Sequence, residues 1–222
     1  MQELLPNLMR RLPEFWKACG DTLLMEVWSG AIIFVIGLIL GIILTVTKPG
    51  GIMENRPLYQ ILDKIINLFR SIPFIILLTA LMPLSRAIMG TAIYVRGVIV
   101  PLVFGATPFF ARQVESALAQ TEKGLVEAAL SMGSSPFEVI FRVYLRESLA
   151  PIIRAITITI ISLLGLTAMA GAVGAGGIGD FAIRYGYNRN QFDVTVISVI
   201  TLVLLVGTVQ FVGGLIVRKV SH

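Results

Sequence analysis

Charge is scarce in this chain. Only 14% of its residues are Asp, Glu, Lys or Arg, against roughly 25% in an ordinary soluble domain, while 56% are hydrophobic and mean hydropathy is +0.87. A soluble core alone does not account for such a composition, so a membrane protein is the first expectation. Cysteine is nearly missing: Cys19 stands alone, which excludes an internal disulfide. The single histidine is His222, so sites built on several histidines and histidine-based proton transfer are excluded. No G-x-x-x-x-G-K-[ST] run occurs, so the chain is not expected to cradle ATP phosphates itself. The net charge of +5 and pI near 9.7 suit Lys and Arg flanking apolar spans, and no nucleic-acid partner is expected. The first 22 residues carry Arg10, Arg11 and Lys17 with no apolar stretch before them, so no cleavable signal peptide is expected.

What the chain does have is long apolar runs. A helix crossing a bilayer needs about 20 mostly apolar residues at 1.5 Å each. Five candidates stand out: about Val27 to Thr47, stopped by Lys48-Pro49-Gly50-Gly51; about Ile65 to Leu84, containing Pro73 and Pro83; about Ile88 to Ala111, containing Pro101 and Pro108; about Ile152 to Val173; and about Phe192 to Val217, stopped by Arg218-Lys219. Such runs must satisfy their backbone hydrogen bonds internally, so helices are expected throughout, with neighbours covering the carbonyls that the prolines free. The expected fold is an all-α polytopic membrane protein, a single transmembrane domain over 1–222 with its core about 19–217, in contact with membrane lipids.

An odd number of spans places the termini on opposite sides. With the N-terminus outside, inside loops hold Lys48, Arg56, Lys64, Lys123, Arg142, Arg146, Arg218 and Lys219, against Arg10, Arg11, Lys17, Arg86, Arg184 and Arg189 outside. The bias has the right sign for that orientation but is small. Arg70, Arg96 and Arg154 lie near span ends and can snorkel. No Asp or Glu lies in the middle of a span, and Glu26 and Asp193 lie near outside ends, so a proton-coupled carrier finds little support.

The longest polar gap, about 113–150, contains EAALSMGSSPFEVIFRVYL. Leu125, Ala128, Ala129 and Met132 recur at helical spacing, and Gly133 comes next as a stop. Ser135-Pro136-Phe137-Glu138 then reads as a new start: Ser135 as N-cap, Pro136 at N1, Glu138 completing a capping box. A helix, a turn and a second helix are expected. Glu127 with Ala128 and Ala129, flanked by Leu130 and Met132, has the anatomy of a small docking knob. Packing on its own bundle is the plainer use of the same residues, and the sequence leaves both open.

The pattern Glu127-Ala128-Ala129, then Gly133, then Val143 and Leu145 resembles the EAA loop of ABC-importer permeases. Where such loops continue with Pro, this chain has Arg146, with Pro151 five residues on. NLFRSIPFIILL, from Asn67 to Leu78, and GAVGAGGIGDFAIRYGY, from Gly171 to Tyr187, are similar to the methionine-uptake branch of that family. The resemblance implies a type I importer permease fold, with Glu127, Ala128, Ala129, Leu130, Met132 and Gly133 engaging a separate ATPase in the cytoplasm. It further implies two ATPase copies, a second copy of this chain and an extracytoplasmic substrate-binding protein, in the plasma (inner) membrane of a prokaryote. The cargo would be methionine, the L-form and by extension the D-form. A permease for another amino acid or small solute is the nearest alternative. A stand-alone channel or secondary carrier is the alternative from another class, and it would need coupling residues or inverted repeats that are not detected. The chain itself is not expected to be an enzyme or to hold a cofactor.

Two further features bear on transport. Gly174-Ala175-Gly176-Gly177-Ile178-Gly179 matches G-x-G-x-x-G, but an apolar span precedes it where a dinucleotide site needs a strand. The glycines are expected to pack a helix end tightly, or to let the end of the fourth span move as a gate. Thr159, Ser162, Leu166 and Met169 share one face of that span. Their hydroxyls either bond their own helix or line a mildly polar path that Met169 closes. Gly37 and Gly41, Ala168 and Ala172, and Gly171 and Ala175 are small pairs suited to close helix contact, within the chain or across a dimer seam.

Overall fold

The structure, a computed structural model, describes residues 5–220, and the regular structure among them is helical. In order, the helices are α1 (Pro6–Met9), α2 (Leu12–Thr47), α3 (Arg56–Ser71), α4 (Phe74–Ala80), α5 (Met82–Met89), α6 (Tyr94–Leu118), α7 (Lys123–Ser131), α8 (Pro136–Val139), α9 (Leu145–Glu147), α10 (Leu149–Gly171), α11 (Gly177–Phe181) and α12 (Phe192–Val220). Wider π-type turns over Ile140–Tyr144 and Ala182–Tyr187 join α8 to α9 and extend α11. His222 lies outside the described residues.

Four helices are long and apolar enough to cross a membrane: α2, α6, α10 and α12. They correspond to the first, third, fourth and fifth expected spans, with shifted ends. Helix α2 begins at Leu12 rather than Val27 and, at 36 residues, is about 54 Å long, well beyond one crossing. Its early turns carry Glu14, Lys17, Asp21 and Glu26, which hid the helix from an apolar-run search. Pro101 and Pro108 are accommodated inside α6, as expected.

The second span is corrected. A single helix from Ile65 to Leu84 is not formed; α3, α4 and α5 take its place. Pro73 lacks an N–H and its ring crowds the preceding turn, so α3 ends at Ser71 and α4 starts after Pro73 in an extended conformation. Pro83 sits in the first turn of α5, where a missing N–H costs nothing. Gly90, at φ +74°, ends α5 and delays α6 to Tyr94.

Contacts divide the chain into two compact units: 1–32, 72–105 and 160–210 form one, and 33–71, 106–159 and 211–222 the other. Each long helix contributes to both. In the first unit, Leu8, Phe15, Ala18, Phe181 and Val194 form a buried cluster. The Asp193 carboxylate accepts hydrogen bonds from Asn7 N and Nδ2, both at 3.0 Å, which ties α1 to the start of α12. The Thr22 hydroxyl accepts from Ile178 N at 2.9 Å. In the second unit, Leu44, Ile66 and Ala111 bind α3 to α2 and α6. A Cβ at Gly37 would lie 2.6 Å from Phe110 Cδ1, and one at Gly41 2.5 Å from Val114 Cβ. This small pair therefore serves contact within the chain.

Candidate functional site

The polar loop has the expected helix, turn and helix. Helix α7 ends in a Schellman motif: Gly133 N donates to Leu130 O at 2.9 Å and Ser134 N to Ala129 O at 3.1 Å. Gly133 takes φ +84°, a left-handed conformation that glycine adopts freely. Helix α8 then opens with the complete capping box: Glu138 N donates to Ser135 Oγ, and Ser135 N to Glu138 Oε2. The Ser135 N–H and hydroxyl, both donating to Glu138 Oε2, and Arg142 3.3 Å away hold the Glu138 carboxyl below its ordinary range, the Ser135 backbone N–H contributing most.

The turn folds α7 back onto α8 and the π-type turn after it. Val126, Ala129 and Val139 are buried together, with Ile52, Val143 and Tyr144 packed against them. Burial pushes the Tyr144 hydroxyl above its ordinary value. The base of the loop is closed where the hydroxyls of Thr121 and Ser148 lie 3.0 Å apart and Ser148 Oγ donates to Ala117 O at 3.2 Å.

The two alanines therefore have different surroundings. Ala129 is only 7% exposed and belongs to the loop's own core. Glu127 and Ala128 are exposed, and Leu130 and Met132, the latter 80% exposed, stand beside them. Phe137 and Phe141 are also exposed, two large apolar side chains on the second half of the loop that the sequence pattern did not single out. Their spacing of four residues after a capping box was the available signal. Beneath α7 lies a cavity of about 340 Å³ whose walls include Lys48, Lys123, Glu127 and Leu130.

Sequence reading also missed an ion-pair cluster in the same unit. Arg112, on α6, pairs with Asp63 on α3 and with Glu115, the latter at 2.7 Å. Arg112 fell just past the expected third span, where nothing in the local pattern announces a partner 49 residues away.

On α10 the expected path face is partly corrected. Met169 is 44% exposed and Ser162 is exposed, as is Gly165 between them, where a Cβ would meet nothing within 4 Å. Thr159 is fully buried, and its hydroxyl donates to Ala155 O at 2.8 Å. It thus bonds its own helix, and Ile158 takes the exposed position one residue earlier.

The glycine run after α10 is a tight corner. Gly174 ends the helix in a second Schellman motif, its N–H donating to Gly171 O and that of Ala175 to Ala170 O. Gly174, Gly176 and Gly177 take φ of +84°, +81° and +80°. A Cβ on Gly179 would strike the Ala168 backbone, and one on Gly171 the backbone at Gly179 and Asp180. A helix precedes the run, so the strand that a dinucleotide site needs is not there.

Residues 33–222 match the family described as the binding-protein-dependent transport system inner membrane component. The chain belongs to that family. It is 45% identical, over 92% of its length and 91% of the relative's, to the probable D-methionine transport system permease protein MetI of Vibrio cholerae. The methionine import system permease protein MetP of Bacillus subtilis is 40% identical over 99% of this chain and 98% of its own. The same fold appears in a solved structure of inward facing conformations of the MetNI methionine ABC transporter, with a TM-score of 0.94 and 45% identity over 96% of this chain and 99% of that one. An amino acid ABC transporter crystallised with histidines shares the fold at 17% identity, with a TM-score of 0.79. The type I importer permease fold expected from the loop is therefore the fold of this chain.

Proposed function

We propose that this chain is the membrane-spanning subunit of an ATP-driven importer that carries methionine across the plasma membrane of a bacterium. The observation that carries the reading is similarity over nearly the whole chain, at 40–45% identity, to permeases named for methionine transport. ATP would be bound by two copies of a separate ATPase, since this chain has no phosphate-cradling loop. Two permease copies would enclose the path, each offering one loop to one ATPase, and a binding protein outside would deliver the substrate.

The orientation that suits this function has the N-terminus outside, and the loop and C-terminus in the cytoplasm. There would be five crossings, the second made by the broken series α3, α4 and α5. Glu127, Ala128, Leu130 and Met132 form the contact surface, while Ala129 and Gly133 hold its shape. Ser162 and Met169 line the path, and Met169 meets its copy across the two-fold axis. The glycine corner, Gly174 to Gly179, is the point about which the end of α10 moves.

The test is co-purification of the chain with its ATPase, then ATP hydrolysis in membranes with and without methionine-loaded binding protein. Stimulation by the loaded protein supports the reading. An ATPase that neither co-purifies nor responds would overturn it.

A further inference from the structure

The groove where α10 begins and α12 ends is lined by none of the residues proposed above for the ATPase contact or the solute path. It encloses about 780 Å³, and Arg142, Arg146, Arg154 and Lys219 line it with a single acid, Glu147. Among the described residues, Arg146, Arg154 and Lys219 take part in no ion pair, and Arg142 has one exposed contact with Glu138. Gathering like charges with one counter-charge costs electrostatic energy unless an anion is present. Both helices are of membrane-crossing length and composition, so their ends fall where lipid headgroups lie. Exposed Leu149 and partly buried Val220 provide apolar wall beside the cations, as a glycerol backbone and first acyl carbons require.

We propose that this groove binds the phosphodiester headgroup of an anionic lipid. Three arginines supply planar, paired N–H donors that match phosphate oxygens, and Lys219 adds a point charge. Basic pockets at the ends of membrane helices are suited to such headgroups. The site is independent of the transported solute: it forms from α9, α10, α12 and the turn before them, away from the Met169 face in sequence.

Native mass spectrometry of the intact permease–ATPase complex, titrated with phosphatidylglycerol or phosphatidylcholine, tests it. Saturable binding of phosphatidylglycerol is expected, with weaker binding of phosphatidylcholine. Arg146→Gln with Arg154→Gln should weaken phosphatidylglycerol roughly thirtyfold, about fivefold per charge removed. Arg146→Lys with Arg154→Lys, which keeps both charges but loses the paired donors, should bind between the wild type and the glutamine variant, which separates lost charge from lost folding. Glycerol phosphate should not displace the lipid at equal concentration. Unchanged lipid affinity in the glutamine variant would overturn the proposal. Equal binding of phosphatidylcholine would do so too, as would glycerol phosphate binding as tightly as the lipid. Separation of the permease pair in the glutamine variant with lipid affinity intact would instead assign the groove to subunit contact.

Discussion

Ser135 and Glu138 cap one another: Glu138 N donates to Ser135 Oγ at 3.3 Å, and Ser135 N donates to Glu138 Oε2 at 2.9 Å. This reciprocal pair fixes the direction in which the chain leaves the turn at Gly133. Ser135→Ala should cost about 1 kcal/mol locally, seen as faster amide hydrogen exchange over 135–139. The Ser135 N–H, with the Ser135 hydroxyl and Arg142, lowers the Glu138 carboxyl below its ordinary value of 4.5. A depressed folded value means that the carboxylate's contribution is full above 4.5 and is lost as pH falls through the folded value. Exchange protection over 135–139 should therefore weaken in that acidic window in the wild type and be flat across it in Glu138→Gln. A flat wild-type profile would show that the carboxylate contributes nothing.

Gly133 takes φ +84° with nothing within 4 Å of where a Cβ would stand, so a substitution there meets backbone strain without a clash. Gly133→Val should cost ~1–2 kcal/mol locally and tilt α7 away from α8. The expected phenotype in proteoliposomes is more ATP hydrolysed per methionine imported. Gly133→Asn should lie between the two, because Asn tolerates this conformation better. An unchanged ratio in the valine variant would show that the turn does not set coupling.

The loop was legible because its signals are local: a helix stop, an N-cap and a capping box lie within six residues, and each decides its own neighbourhood. The apolar runs gave four long helices for the same reason. The broken second span was not legible, since Pro73 and Pro83 could have been carried inside a helix, as Pro101 and Pro108 are in α6. Which side of a helix meets its neighbours was also out of reach. Ala128 and Ala129 look alike in sequence, yet only Ala129 is buried against Val126 and Val139. Thr159 turns inward for a similar reason. The Arg112–Asp63 pair depends on two helices meeting, which no local pattern reports.

The unlike alanines give a paired test. Ala128→Trp places an indole on the exposed face and should block recovery of the ATPase with the permease, while the permease alone unfolds at its usual temperature. Ala129→Trp forces the ring into a filled core, a change that typically costs 1–3 kcal/mol, and should lower the permease's own unfolding temperature. Identical behaviour of the two variants in both measurements would contradict the division of roles.

Met169 stands on an exposed strip with Ser162 and Gly165. Met169→Ala should leave a path that small solutes cross without ATP, with ATPase recovery unchanged. Solute efflux from liposomes holding the permease–ATPase complex measures it. If efflux matches wild type, and a cysteine placed at 169 is never reached by thiol reagents from either side, the gate lies elsewhere.

The most direct measurement is uptake of labelled methionine by liposomes containing this chain and its ATPase, with binding protein outside and ATP within. Accumulation against a gradient is predicted, and it should stop when the ATPase, the ATP or the binding protein is omitted. Methionine entry that persists without the ATPase would contradict an ATP-driven importer. ATP-driven import of another solute with which methionine does not compete would contradict the assignment of methionine as cargo.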